Sequence, residues 1–143
     1  FATETKETVA GVATIGNLWT QLNALGMQDR VTFATMNVFG RTLSASNGST
    51  NGRNHHGDHH VTVMIGKPFK GGVVGGVEPY QREYRAMSID AATGNPVAGQ
   101  SGNVPFSETL SAMGKTLGVG CGASGETLDL SIRGGKVVGG TLI

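Results

Sequence analysis

The sequence predicts a single α/β domain with long, glycine-rich loops. Three observations favour it: a length of 143 residues, 24 glycines that fall in short clusters, and a helical pattern followed at once by a strand pattern. One domain usually holds about 100–200 residues, and paired glycines mark turns and the ends of strands. A helix, a short turn and a buried strand form the repeating unit of α/β folds.

The first part of the chain predicts a helix and a strand. Residues 1–7 are polar and are expected to be frayed, so the domain is expected to span residues 8–143. Over residues 8–25, apolar side chains recur every three or four positions, the period of a helix with one buried face. Gly26 follows where a C-cap glycine belongs. Residues 31–36 are almost continuously apolar, which predicts a strand buried on both faces.

The rest of the chain predicts loops, a strand, a helix and a hairpin. Long polar loops are predicted over residues 43–54 and 91–104, since such stretches lack a regular apolar period. A short apolar run over residues 61–65 predicts a strand. Steps of three and four predict a helix over residues 105–117. From residue 127 onward, alternating runs flank a Gly-Gly pair, a pattern typical of a β-hairpin.

Composition argues against several classes of protein and partner. The net charge is +1, and charged residues make up only 15% of the chain. Disordered proteins carry more charge, and nucleic-acid-binding proteins carry a basic surplus. The uncharged stretch near the start is rich in Thr, Asn and Gln, so it is too polar for a membrane span. We therefore expect no nucleic-acid partner and no membrane insertion, and the oligomeric state stays open.

All four histidines of the chain lie in one segment, Asn54-His-His-Gly-Asp-His-His60. Imidazole is the commonest protein ligand of metal ions, and the carboxylate of Asp58 can add an oxygen. Successive residues of an extended segment point to opposite sides, so about two of the four rings can bind one ion. The segment predicts a metal or oxyanion site. The alternative is a polar loop whose histidines bond to backbone groups.

Arg41 ends the first predicted strand, directly after Phe39-Gly40. A guanidinium group in this position can clamp an anion, or it can bind a loop carbonyl instead. The chain contains no nucleophile elbow and no phosphate-binding loop motif. No catalytic residue is therefore predicted.

Two runs of the sequence together resemble a known bacterial family. They are VTFATMNVFGRT over residues 31–42 and the segment over residues 54–75, which holds the histidines and Lys70-Gly-Gly. Their order and spacing resemble the C-terminal part of the domain-of-unknown-function family 1501, over about residues 10–118. Proteins of that family are similar in fold to the alkaline phosphatases and sulfatases.

The resemblance implies a fold, a function and a location. The chain would be the C-terminal portion of an alkaline-phosphatase-like sheet-and-helix domain in a longer, exported protein of the periplasm or the cell exterior. Its partner would be the N-terminal part of the same protein, where the superfamily keeps its nucleophile. The function implied is metal-dependent hydrolysis of phosphate or sulfate esters, with zinc, calcium or manganese as the ion. The alternative is a non-catalytic binding or assembly module on the same fold.

Together with the histidine pattern, the resemblance assigns site residues. The metal ligands would be His55, Asp58, His59 and His60, and the substrate-binding residues would be Arg41 and Asn54. Two carboxylates of the family pattern are replaced here, by Val38 and Asn54. Anionic oxygens supply much of the binding energy for a hard divalent cation. The site is therefore expected to be degenerate.

Overall fold

A computed structural model describes residues 2–45 and 52–143, and these residues form a mixed α/β structure. The helices are α1 (Ala2–Ala24), α2 (Thr109–Gly120) and α3 (Gly125–Ser131). The strands are β1 (Phe33–Thr35), β2 (Gly40–Ala45), β3 (Arg53–His56), β4 (Val63–Ile65), β5 (Val77–Tyr80), β6 (Glu83–Ala86), β7 (Ser88–Ile89) and β8 (Pro96–Val97). The predicted α/β class is confirmed at this level. Phe1 and the middle of the predicted polar loop, residues 46–51, lie outside the described residues.

The described strands form four antiparallel pairs: β1 with β4, β2 with β3, β5 with β6, and β7 with β8. The prediction that residues 31–36 form a strand buried on both faces is wrong. The strand is shorter, it pairs with β4 alone, and Ala34 at its centre is exposed. A two-stranded ribbon leaves much of its surface open to solvent, and a short apolar run does not specify whether helices cover both faces.

The core lies against α2. It consists of buried side chains from the loops, α2 and the tail, with Ile89 packed beside them: Ala91, Val104, Ala112 and Val138. A buried hydroxyl links the helix to the tail, since Thr116 donates to the Ala112 carbonyl at 2.6 Å and accepts from the Val138 N–H at 2.9 Å. The helix predicted over residues 105–117 is confirmed as a 3₁₀ turn, Phe106–Glu108, followed by α2.

The β-hairpin predicted for the tail is wrong. The alternating run folds as α3, and Ser124 caps the helix by accepting a hydrogen bond from the Thr127 N–H at 3.2 Å. Leu128 and Ile132 are four residues apart, and both lie against glycines of α2. Leu130, midway between them, is 90% exposed. An i, i+4 pair that packs on a neighbouring helix therefore prevails over the period of two.

Helix α1 begins at Ala2, six residues before the predicted start, so the segment expected to be frayed forms its first turns. The helix has no buried residue; Val9 and Val12 in it, and Leu25 directly after it, are each more than 60% exposed. An ion pair of 3.1 Å between Glu4 and Arg53 links it to β3. None of the described helices is long and apolar enough to cross a membrane.

The chain exposes more surface than a free-standing domain of its mass. Its solvent-accessible area is 9244 Å² for 14.7 kDa. A folded monomer of that mass exposes about 6,900 Å² on the usual scaling of area with mass. Apolar side chains of α1 and of the β-ribbons contribute to this exposed surface, among them Val12 and Val77.

Candidate metal-binding site

The hairpin of β2 and β3 and the turn that follows it position the four histidines. Antiparallel pairing sets His56 opposite Gly40 and His55 opposite Arg41. After β3 the chain turns, and the carbonyl of Asp58 accepts a hydrogen bond of 2.7 Å from the Ala86 N–H of β6. The turn is therefore anchored to a second sheet.

The imidazole of His59 lies directly over Gly40. A Cβ built on that glycine would meet the Nε2, Cδ2 and Cε1 atoms of the His59 ring, well inside van der Waals distance. The ring centroid of His56 lies 5.1 Å from that of His59, with an interplanar angle of 37°. Only glycine leaves room for this arrangement, because any other residue would place a carbon where the ring lies.

Three histidines differ in the hydrogen bonds of their Nδ1 atoms: His56 at the end of β3, and His59 and His60 after it. The Nδ1 atom of His56 accepts from the Asp58 N–H at 3.3 Å. The Nδ1 atoms of His59 and His60 are buried and have no hydrogen-bond partner. A buried polar atom without a partner costs about 1–3 kcal/mol, so two such atoms on neighbouring residues call for an explanation. Each is a nitrogen that can bind a cation.

His60 reaches from this segment to the start of α2. Its Nε2 lies 2.8 Å from the hydroxyl oxygen of Thr109, and its ring lies against Phe106 at 5.6 Å between centroids. Burial lowers the pKa of His60 below its ordinary value, and the neighbouring charge of His59 lowers it further. The ring is therefore neutral at pH 7, which is the protonation state that binds metals.

The remaining predicted residues lie on the hairpin itself. The His55 ring stacks on Phe39, with centroids 4.0 Å apart. The guanidinium group of Arg41 lies 5.4 Å from the same Phe39 ring, and its Nη1 donates to the Arg53 carbonyl at 3.2 Å. The carbonyl contact considered for Arg41 is thus the one observed. Asn54 is exposed, and its backbone N–H donates to the Thr42 hydroxyl at 3.1 Å.

The structure brings the predicted ligands together only in part. His56 and His59 are neighbours, and His60 follows them with a second buried nitrogen. Asp58 is exposed. Among residues 2–45 and 52–143, no three His, Cys, Asp or Glu side chains form a group that could hold a metal ion. The prediction of a single site that uses all the ligands named from the sequence therefore stays a prediction.

Sequence reasoning missed two residues that shape the site. Thr109 is 49 residues from His60 along the chain, and no local pattern connects them. Gly40 was noted only as the residue before Arg41. Gly40 belongs to the run Phe39-Gly40-Arg41, next to a predicted strand. This was a usable signal, because a glycine within a strand often marks a close approach by another group.

The chain was also compared with known proteins. No protein-family model, no curated protein and no solved structure matches it.

Proposed function

We propose that this chain supplies histidine ligands for a divalent cation in an exported, alkaline-phosphatase- or sulfatase-like ester hydrolase with a degenerate site. The observation that carries the proposal is the pair of buried, unpartnered Nδ1 atoms of His59 and His60. The family resemblance supports the hydrolase fold and the location in the periplasm or outside the cell.

The residues present fit a nitrogen-binding cation better than an oxygen-binding one. Zinc binds imidazole nitrogens and takes three or four protein ligands, whereas calcium takes six to eight oxygens. The unpartnered atoms are nitrogens, and Asn54 replaces a carboxylate of the family pattern. Zinc is therefore the ion that we propose first, ahead of manganese and calcium. The ligands beyond His59 and His60 are proposed to come from the N-terminal part of the longer protein.

The roles proposed for the chain follow from these groups. A bound divalent cation would polarise an ester oxygen and stabilise the charge that develops on it. His59 and His60 would hold that ion through Nδ1. Arg41 would bind the phosphate or sulfate group of the substrate after it releases the Arg53 carbonyl. The guanidinium group of Arg41 is exposed on the hairpin, so an anion can approach it from solvent.

Calorimetric titration with zinc chloride tests the metal proposal on the chain itself. We expect the wild-type chain to bind zinc through His59 and His60 alone, more weakly than a site of three or four ligands would. His59→Ala and His60→Ala should each weaken binding at least about tenfold, since each variant removes one ligand. Gly57→Ala is the matched control, because it removes no possible ligand and an added Cβ there would meet nothing within 4 Å. Absence of zinc binding by the wild-type chain, or equal binding by all four proteins, would contradict the proposal.

The hydrolase part needs its own measurement. The longer protein that contains this chain is expected to release nitrophenol from nitrophenyl phosphate or sulfate when supplied with zinc. Turnover should fall in the His59→Ala and His60→Ala variants. If the zinc-loaded longer protein hydrolyses neither ester, the hydrolase proposal is contradicted and only the proposal of metal binding stands.

The exposed face of α1 favours the second candidate, a binding or assembly module. Its exposed apolar side chains include Val9 and Val12, and a helix with an apolar stripe is stable in water mainly when the stripe is packed. We propose that the N-terminal part of the longer protein covers it.

Light scattering after gel filtration tests what covers α1. If the rest of the longer protein covers it, the isolated chain is expected to run as a 14.7 kDa monomer that binds a hydrophobic dye, and the dye signal should fall in a Val12→Ser variant. A stable dimer that binds no dye would instead identify a second copy of the chain as the cover. Lys6→Ser, a change at a charged position of the same helix, is the control.

A further inference from the structure

We infer that the first half of α1, residues 2–14, is an order–disorder switch. It stays helical while Glu4 pairs with Arg53 of β3, and it unfolds when ionic strength breaks that ion pair. The inference depends neither on a bound cation nor on the proposed hydrolase activity. It rests on the exposure of this part of the helix, the geometry of the ion pair and the residues that make up the segment.

The first half of α1 is covered at one position. Every residue from 2 to 14 is exposed except Glu4, which is half-buried. In the second half of the helix, Ile15, Trp19 and Leu22 are half-buried. They are separated by four and three positions, so they lie on one face of the helix. Packing therefore holds the second half, whereas the first half depends on Glu4.

The contact at Glu4 is a two-point ion pair beside an open cleft. Arg53 donates from Nε to Oε1 at 3.3 Å, and its Nη2 lies 3.1 Å from Oε2. The side chains of Glu4 and Arg53 remain 36% and 30% exposed. A cleft of about 330 Å³ lies beside the pair, lined by Glu4, Thr5, Thr8, Val9 and Arg53. An ion pair with this exposure stabilises weakly, and salt screens it.

The residues of the first half give it little helical stability of its own. Residues 2–14 include four threonines and two valines, whose branched side chains disfavour a helix. Gly11 and Gly16 separate the segment from the packed face, and a Cβ at either glycine would meet nothing within 4 Å. Helical segments shorter than about 12–15 residues are marginal in water. Without its ion pair, the segment is therefore expected to unfold.

Unfolding would change the surface beside the histidine segment. Arg53 begins β3 and directly precedes Asn54. The first turns of α1 form the other wall of the cleft at Arg53. When they unfold, this side of β3 opens to solvent. The ion pair thus makes access to the start of β3 depend on ionic strength.

NMR spectroscopy measures the switch residue by residue. The Cα chemical shifts of residues 5–10 report the helical population of the first half, and those of residues 18–22 provide an internal reference. We expect helical shifts in both ranges at low ionic strength. In about 1 M sodium chloride the Debye length is only about 3 Å. The ratio of helical to unfolded segment at residues 5–10 should then fall about two- to fivefold, with residues 18–22 unchanged.

Arg53→Gln separates the ion pair from helix propensity, because it leaves the sequence of α1 unchanged. This variant should lower the ratio by the same factor at low ionic strength and lose the salt dependence. Two matched controls should leave the segment helical. Glu7→Gln removes the same charge from an exposed position of the same helix, and Lys67→Gln breaks a different exposed ion pair, the one with Asp29.

Three outcomes would overturn the inference. The first is equal shifts at residues 5–10 in wild type and Arg53→Gln, and the second is a wild-type segment that salt does not affect. The third is equal unfolding in Glu7→Gln, because helix charge would then be responsible instead of the ion pair. The salt titration of the wild-type chain decides the second point even if a variant does not fold. Zinc binding is independent of all three outcomes, so the proposed function is tested separately.

Discussion

Replacing Gly40 by alanine should disrupt the histidine arrangement more than any other single added methyl group on the hairpin. The new Cβ would meet three atoms of the His59 ring, with Cε1 at 2.7 Å and the other two closer still. Carbon atoms pack at about 3.5–4.0 Å, so the ring must move by roughly 1 Å or more, or the hairpin must shift.

Overpacking of this kind typically costs about 1–3 kcal/mol of the free energy of unfolding. The displaced ring would also lose its position beside His56, so we expect zinc binding to weaken as well. The matched control is Gly57→Ala in the turn that follows β3, where an added Cβ would meet nothing within 4 Å. That change should be neutral, or stabilise by up to about 1 kcal/mol because alanine restricts the unfolded chain.

Urea unfolding of the two variants measures the difference, and NMR resonances of the His59 ring report its movement. Equal free energies of unfolding for Gly40→Ala and Gly57→Ala, together with unchanged ring resonances, would refute the packing of His59 on Gly40.

Three further predictions concern the rest of the molecule. Val104→Ala removes two buried carbons at a site with 0% exposure, so urea unfolding should show a loss of about 2–3 kcal/mol, and a loss below about 0.5 would contradict the assigned core. Asp129→Asn removes the negative charge that lies 2.6 Å from the buried Lys115 ammonium. We expect the free energy of unfolding to fall by about 1–2 kcal/mol, and to fall by less in Lys115→Met, which leaves no buried charge. An unchanged urea midpoint in Asp129→Asn would argue against the ion pair. The hydrogen bond from Arg85 holds the pKa of Glu78 below its ordinary value. This carboxylate should therefore stabilise the fold fully above its unfolded pKa and cease to do so as pH falls through its folded pKa. The difference between wild type and Glu78→Gln in urea unfolding should therefore shrink on acidification, and a constant difference would contradict the prediction.

Local patterns in the sequence were sufficient where neighbours along the chain decide the structure. The steps of three and four in α1 and α2 are repeated over several turns, so the helical period can be recognised without knowing what the helix packs against. The clustering of the four histidines also needs no fold to be recognised. The α/β class followed from the same short-range signals.

Tertiary packing decided what several local patterns left open. The tail run from Thr127 fits a period of two as well as an i, i+4 pair, and contact of Leu128 with the glycine face of α2 selects the helix. The apolar run at residues 31–36 indicates a strand, but only its pairing with β4 shows that the strand is not buried on both faces.

The sequence by itself determined that the histidines form a candidate ligand cluster, and the tertiary structure decided which of their nitrogens lack partners. The role of each ring depends on groups distant in sequence: Gly40 under His59, and Thr109 beside His60. A hydrogen bond between residues 49 positions apart cannot be predicted from a periodic pattern in the sequence, because its two groups meet only after the backbone has folded.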